Sequence, residues 1–175
     1  AVRGAAVRAV MTRKHPVAEL LFSDFIPTCM DPIVNQAAKL RYMSGGQITL
    51  PLVMRAPVGA TGRGSQHAQN VERYFTGVPG IKVLAVSDAY DAKGILKAAV
   101  RDDNPVMFIE HKMLYGVEGY VPEEDYVIPY GVADVKREGS DVTVVTYSRM
   151  VHRALEAAEK LAEEGVSVEV IDLRT

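Results

Sequence analysis

Apolar and polar positions fall into alternating blocks along the chain, short apolar runs giving way to longer stretches with helical spacing. Residues 4–14 form the first helical stretch, in which Ala5, Ala6, Ala9 and Val10 are small enough for close packing, and Pro16 ends it. Residues 17–22 read as a buried strand. Residues 30–43 read as a helix, with Asp31 as N-cap, Pro32 at its first position, and Ile33, Val34, Ala37, Ala38 and Leu40 on one face. Ser44, Gly45 and Gly46 close it. A strand is predicted over 50–55, a glycine-containing loop over 56–70, one or two helical turns over 71–76, and a strand over 81–86. Ser87 and Asp88 can cap a helix over 89–101, Asp103-Asn104-Pro105 breaks it, and 106–110 is again a strand.

Residues 112–130 are irregular, acidic and tyrosine-bearing, the best linker in the sequence. Beyond them a strand over 141–147 precedes a helix capped by Ser148. Met150, Val151, Ala154, Leu155, Ala158, Leu161 and Ala162 lie on one face of that helix. Gly165 suits the C-cap, and a strand over 166–173 follows. Strands alternating with helices predict an α/β fold, a three-layer, mostly parallel sheet with helices on both faces. The division expected is 1–127 and 128–175. The second unit, a lone strand–helix–strand, is too small to enclose a core unaided. Ligands of such folds sit beyond the carboxyl ends of the strands, which directs attention to the loops after Phe22, Arg55 and Glu110.

Composition narrows the function classes. The 175 residues are 48% hydrophobic and 24% charged, with net charge −2 and interspersed signs, so there is no clustered basic face for nucleic acid. No apolar run reaches the roughly 20 residues of a membrane span. The basic, Ala/Val-rich start resembles a transit peptide in composition, but it runs straight into a strand and reads better as a packed helix. The single Cys29 offers neither an internal disulfide nor paired metal ligands, and reads as a small buried apolar residue.

Few residues carry chemistry on their own evidence. His67, in a loop that also holds Gly59, Gly62 and Gly64, is either an acid–base group at the active edge of the sheet or a surface histidine. The loop matches neither dinucleotide nor P-loop phosphate motifs. Phe25 either stacks on a flat heterocycle or packs in the core, and Asp24 can cap the turn beside it. The end of the 89–101 helix, with Asp102, Asp103 and Asn104, is either a plain turn or a seat for a hard monovalent cation, since helix ends leave carbonyls unpaired. His15, His111 and His152 lack metal-ligand spacing, and no GxSxG elbow is present.

Several motifs occur in a characteristic order. They are Ser23-Asp24-Phe25; Asp31-x-Ile33-Val34-Asn35-Gln36-Ala37-Ala38-Lys39; Arg41-Tyr42-Met43-Ser44-Gly45-Gly46-Gln47; and Pro51 through Arg55. Then follow Gln66-His67-Ala68-Gln69, Val78-Pro79-Gly80, Asp91-Ala92-Lys93-Gly94, Ala99 through Pro105, Leu114-Tyr115, and Val170 through Thr175. Together they resemble the beta subunits of 2-oxo acid dehydrogenase decarboxylase components of the pyruvate, branched-chain and acetoin types, over essentially the whole chain.

The resemblance implies a transketolase-like pyrimidine-binding domain followed by the start of a transketolase C-terminal domain. It implies thiamine diphosphate held between this chain and an alpha subunit that carries the diphosphate and Mg2+ site, in a heterotetramer of two alpha and two beta chains. A 2-oxo acid substrate and a lipoyl-bearing acyltransferase core are the further partners implied, in bacterial or archaeal cytoplasm or the mitochondrial matrix. By position, Phe25 would contact the aminopyrimidine and His67 would be the active-site histidine. Leu52, Ala99, Val100, Asp102 and Asn104 would hold a structural K+, mainly through backbone carbonyls. The glutamate that pairs with the pyrimidine ring would fall just before Ala1, so these 175 residues by themselves are expected not to catalyse the reaction. Pro32 and Ala68 stand where glutamine and serine are usual. A module that only pairs with partner subunits, or another transketolase-type enzyme, are the alternatives.

Overall fold

The computed structural model describes residues 2–10, 12 and 14–175, with only the backbone of Val2 and Arg3. Helix α1 is Val2–Val10. Thr12 and Lys14 both donate backbone N–H groups to the Ala9 carbonyl, while Met11 and Arg13 of the expected 4–14 helix lie outside the described residues. The first sheet contains β1 (Val17–Glu19), β2 (Val53–Val58), β3 (Lys82–Ala85) and β4 (Val106–His111), in the order β1-β2-β4-β3 and parallel throughout. Val17 aligns with Val53, and Val53 with Val106, so the strands enter the sheet level and their carboxyl ends emerge along one edge.

Alternation along β2 and β4 explains why the sheet is covered on both faces. Met54, Ala56, Val58, Met107 and Ile109 point into a core with Val10, Ile26 and Ile33. Val53, Val106 and Phe108 point the other way, against Ile95 and Ala99 of helix α3 (Ala89–Val100). Burying Phe108 alone stabilises the fold by about 1.5–3 kcal/mol. Asp88 caps α3, its carboxylate accepting the Asp91 N–H at 2.8 Å.

The 30–43 segment is not one helix. A tight helical turn spans Ser23–Cys29, a wide turn with an i→i+5 bond from Ala38 N–H to the Ile33 carbonyl spans Asp31–Ala37, and helix α2 is only Leu40–Met43. Asp31 is not the N-cap. Met30 before it is already helical, and the Asp31 carboxylate accepts instead from the Asn35 amide at 2.9 Å.

The second sheet has the order β5-β7-β6, from β5 (Asp134–Arg137), β6 (Val142–Thr146) and β7 (Val168–Asp172). Helix α4 (Arg149–Glu163) crosses between the parallel β6 and β7, packing Ala154, Leu155, Ala158 and Leu161 on Val144, Val168 and Val170. Met150 and Ala162 are exposed rather than part of that face. Strand β5, antiparallel to β7, is an addition to the expected strand–helix–strand unit. Ser148 does not cap α4 with its side chain; it is buried with φ of 54° and an unpartnered hydroxyl. Gly165 closes α4 as expected, at φ of 82°.

The two sheets are joined by a polar seam. Ala85 N–H donates to the Arg174 carbonyl, and Ser87 Oγ donates to Asp172 at 2.5 Å. Fully buried Asp91 receives Arg174 at 2.8 Å and Lys136 at 3.1 Å.

Candidate functional site

The site is built where β1, β2 and β4 end. Leu20 N–H still donates to the Arg55 carbonyl, after which the chain leaves the sheet and coils through Ser23–Cys29. That turn buries Ile26 and Cys29 and leaves Phe25 42% exposed at the sheet edge. Phe25 is therefore not an ordinary core phenylalanine.

The loop after β2 folds back onto this turn. At its neck, Gly59 N–H donates to the Gln69 carbonyl at 3.2 Å. Gly59 has φ of 95°, and a Cβ there would lie 2.1 Å from Nε2 of buried His111, so only glycine fits. The far limb is tied down by Asp24, whose Oδ1 accepts the N–H groups of Ala68 at 3.2 Å and Gln69 at 3.1 Å. Burial works against the charged form of Asp24, but these amide hydrogen bonds, that of Gln69 first, outweigh it and hold the carboxyl below its ordinary range. Lys112, just past β4, donates to the His67 carbonyl. His67 thereby sits between two phenylalanines, edge-to-face with Phe22 (4.8 Å) and Phe25 (5.8 Å). The Lys112 ammonium lies 5.0 Å over the Phe22 ring.

A groove of about 680 Å³ is walled by Phe22, Arg55, Arg63, Lys112 and Tyr115; it shares Phe22 and Lys112 with the surroundings of His67, but His67 and Phe25 do not line it. Two of these wall residues share one partner: Glu110 accepts Arg55 through two bonds of 2.7 and 2.9 Å and the Tyr115 hydroxyl at 2.8 Å. Burial and the neighbouring Glu110 carboxylate push the Tyr115 phenol well above its ordinary value, so it remains a neutral donor. Burial, with Arg149 and Lys112 nearby, keeps His111 below the usual histidine range, and its Nδ1 accepts the Met113 N–H.

The five positions expected to hold a monovalent cation meet at the opposite end of the strands. Val106 N–H donates to the Leu52 carbonyl at 2.9 Å and Leu50 N–H to the Asp103 carbonyl at 2.9 Å, which brings the start of β2 to the loop that closes α3. The Asp102 carboxylate is already engaged by Lys82 and by the backbone and side-chain N–H groups of Asn104. Burial opposes its charge, but these donors hold Asp102 below the ordinary carboxylate range. Asn104 Oδ1 accepts Arg41 at 2.7 Å, and a ring nitrogen of His15 lies 3.3 Å from the Val100 carbonyl. Among the described residues no group of three or more His, Cys, Asp or Glu is placed to hold a metal ion.

Sequence reasoning singled out His67 and Phe25 but missed Phe22 and Lys112, and it gave Asp24 a local cap rather than its hold on the loop 44 and 45 residues away. Position beside Ser23-Asp24-Phe25 was the available signal for Phe22; Lys112 had none. His152, expected to be structural or on the surface, faces the Ser87 carbonyl at 2.8 Å.

A parallel sheet covered on both faces, with aromatic and histidine side chains at its carboxyl edge, defines an α/β domain of the kind whose ligands sit at that edge. Residues 1–118 match the transketolase pyrimidine binding domain and residues 131–175 the transketolase C-terminal domain; the chain belongs to the transketolase family. Within that family it is similar to beta subunits. It is 54% identical to the acetoin:2,6-dichlorophenolindophenol oxidoreductase subunit beta of Cupriavidus necator, over 98% of this chain and 51% of that protein. It is 50% identical to the 2-oxoisovalerate dehydrogenase subunit beta of Bacillus subtilis, over 100% of this chain and 54% of that protein. To the pyruvate dehydrogenase E1 component subunit beta of Porphyra purpurea it is 46% identical, over 97% and 52%. The chain thus spans about half the length of the curated relatives it matches. Among solved structures, a split gene transketolase described as an inactive beta4 tetramer superposes with a TM-score of 0.79 at 26% identity, over 98% of this chain and 53% of the other. Transketolase from Pichia stipitis shares the fold, with a TM-score of 0.68 at 15% identity over 91% of this chain and 23% of the other. No helix among the described residues is long and apolar enough to cross a membrane.

Proposed function

We propose that this chain is the aminopyrimidine-binding part of the beta subunit of a thiamine-diphosphate-dependent 2-oxo acid dehydrogenase decarboxylase component. One observation carries the reading. His67 is held between Phe22 and the half-exposed Phe25 at the carboxyl edge of the sheet, on a loop tied down by Asp24 and Lys112. Those residues fit the cofactor: the open Phe25 ring offers a face for a flat heterocycle, and the histidine beside it can take up or release a proton. When bound, thiamine diphosphate supplies the carbanion chemistry of decarboxylation. The protein's own part is to present Phe25 to the pyrimidine, to exclude water with the Phe22 and Phe25 rings, and to place the His67 imidazole beside them as the acid–base group.

The remaining parts extend the proposal: the relatives' subunit-beta names support an alpha partner, and the motifs support the rest. An alpha subunit completes the cofactor site, supplying the diphosphate and Mg2+ contacts, in a tetramer of two alpha and two beta chains. The substrate is a small 2-oxo acid of the pyruvate or branched-chain kind, and the acyl group passes to a lipoyl-bearing acyltransferase. The compartment is bacterial or archaeal cytoplasm, or the mitochondrial matrix. Pyrimidine-binding and C-terminal units divide near residues 127 and 128. The motifs assign a structural K+ to Leu52, Ala99, Val100, Asp102 and Asn104; oxygen donors suit a hard cation, and the Leu52, Ala99 and Val100 carbonyls, each with a polar partner, would offer it their second lone pairs. The solved relative called an inactive beta4 tetramer favours a second statement, that this chain without an alpha partner assembles but does not turn over.

The test is lipoyl acylation by the intact complex, in which a full-length beta subunit containing these residues is assembled with an alpha subunit. His67→Ala is expected to lower the acylation rate by roughly 10²-fold or more, the range for loss of a positioned acid–base group. Unchanged turnover would remove His67 from the mechanism, and turnover by the chain alone would refute the need for a partner.

A further inference from the structure

We propose that Asp24 and Lys112 are positioning residues that grip the His67–Ala68 peptide unit from its two sides and thereby aim the imidazole. The proposal rests on the role given to His67 above. Lys112 donates to the carbonyl of His67, and Asp24 accepts the N–H of Ala68, the two polar groups of one peptide unit. A cation at the carbonyl and an anion at the N–H both follow the peptide dipole, and charge-assisted bonds are about twice as strong as neutral ones.

The same two side chains also border the walls around the ring. Asp24 lies in sequence between Phe22 and Phe25, and the Lys112 ammonium covers the Phe22 ring. Three separate segments, those following β1, β2 and β4, are thus joined at one peptide. The grip is needed because the 59–70 loop is intrinsically soft. Gly59, Gly62 and Gly64 all adopt positive φ, and glycine loses the most backbone freedom on ordering. A ring edge-to-face with two others tolerates little rotation of the backbone that carries it. The low pKa of Asp24 keeps its side of the grip charged at neutral pH.

The experiment uses Asp24→Ala, which removes charge and acceptor, Asp24→Asn, which keeps an acceptor oxygen, and Lys112→Met, which keeps the stem over Phe22. Hydrogen exchange of the 64–70 segment is followed on the full chain. Exchange at Ala68 and Gln69 is expected to speed up roughly tenfold or more in Asp24→Ala and less in Asp24→Asn. Lys112→Met is expected to loosen the same segment. Protection unchanged in both Asp24→Ala and Lys112→Met overturns the grip. In the assembled enzyme, Asp24→Ala is expected to lower kcat about tenfold or more with KM unchanged, with partial recovery in Asp24→Asn. It is expected to add nothing in a His67→Ala background, because it acts through His67. An additive loss overturns the positioning role. Should His67→Ala itself prove silent, the functional reading fails, while the exchange measurement still decides whether the grip exists.

Discussion

At the scale of single residues, the molecule places charge where local contacts decide its cost. Glu72 shows the unfavourable case. It is buried in the short turn Glu72–Tyr74, its Oε1 has no hydrogen-bond partner, and burial raises its carboxyl above the ordinary 4.5. A carboxyl with a raised folded-state pKa holds its proton more tightly when folded. Its contribution is therefore complete below pH 4.5 and is lost as pH rises through the raised value. Glu72→Gln removes the ionisation without changing the shape. Thermal unfolding followed from pH 4 to 8 is expected to show the variant equal to the parent at the acid end and more stable at neutral pH, by on the order of 1 kcal/mol. A variant less stable at pH 7 would mean that the charge is used by a contact.

At the scale of elements, helix α3 illustrates how one side chain serves two purposes. Asp88 caps it, and the other carboxylate oxygen receives Lys136 from β5 at 2.7 Å. Burial opposes its charge, yet the Asp91 N–H and Lys136 hold Asp88 below its ordinary range. Asp88→Ala is expected to cost about 1–2 kcal/mol in urea unfolding, the upper part of the range for a lost cap, whereas Asp88→Asn keeps the cap and costs less. Equal losses would show that the Lys136 pair, not the cap, dominates. The elements that escaped the sequence pattern did so for local reasons. Strand β5 is a short edge strand carrying Asp, Lys and Arg around Val135, paired on one side only, so its apolar alternation is faint. The 30–43 segment shows helical spacing, but its turn widens over Asp31–Ala37, where Ala38 N–H reaches back five residues to Ile33, and regular helix resumes only at Leu40–Met43.

At the scale of the whole molecule, the two sheets are held by the polar seam rather than by a shared apolar core. Arg174 is its centre: the guanidinium reaches buried Asp91 at 2.8 and 3.0 Å and Asp134 at 2.8 Å, while its carbonyl accepts the Ala85 N–H. Removing one partner of a buried ion pair leaves an uncompensated charge and costs about 3–5 kcal/mol. Lys136 also faces Asp91, so Arg174→Met is expected near 3 kcal/mol, the lower end of that range. Adding Asp91→Leu is expected to restore part of the loss. A double variant as unstable as the sum of the two would show that the pairs do not couple.

What the sequence determined by itself is the layered architecture. Runs such as Val106–His111 are apolar enough to be buried on both faces, and the α3 and α4 patterns dictate which sides meet them. The ordered motifs also led to Phe25 and His67. What only the tertiary structure decided is how those two residues are surrounded. Asp24 meets Ala68 and Gln69, and Lys112 meets His67, because β1, β2 and β4 end side by side, although they are far apart in the chain. Periodicity records which face of an element is buried. It carries no information on which distant loops converge, because that is fixed by the order of strands in the sheet.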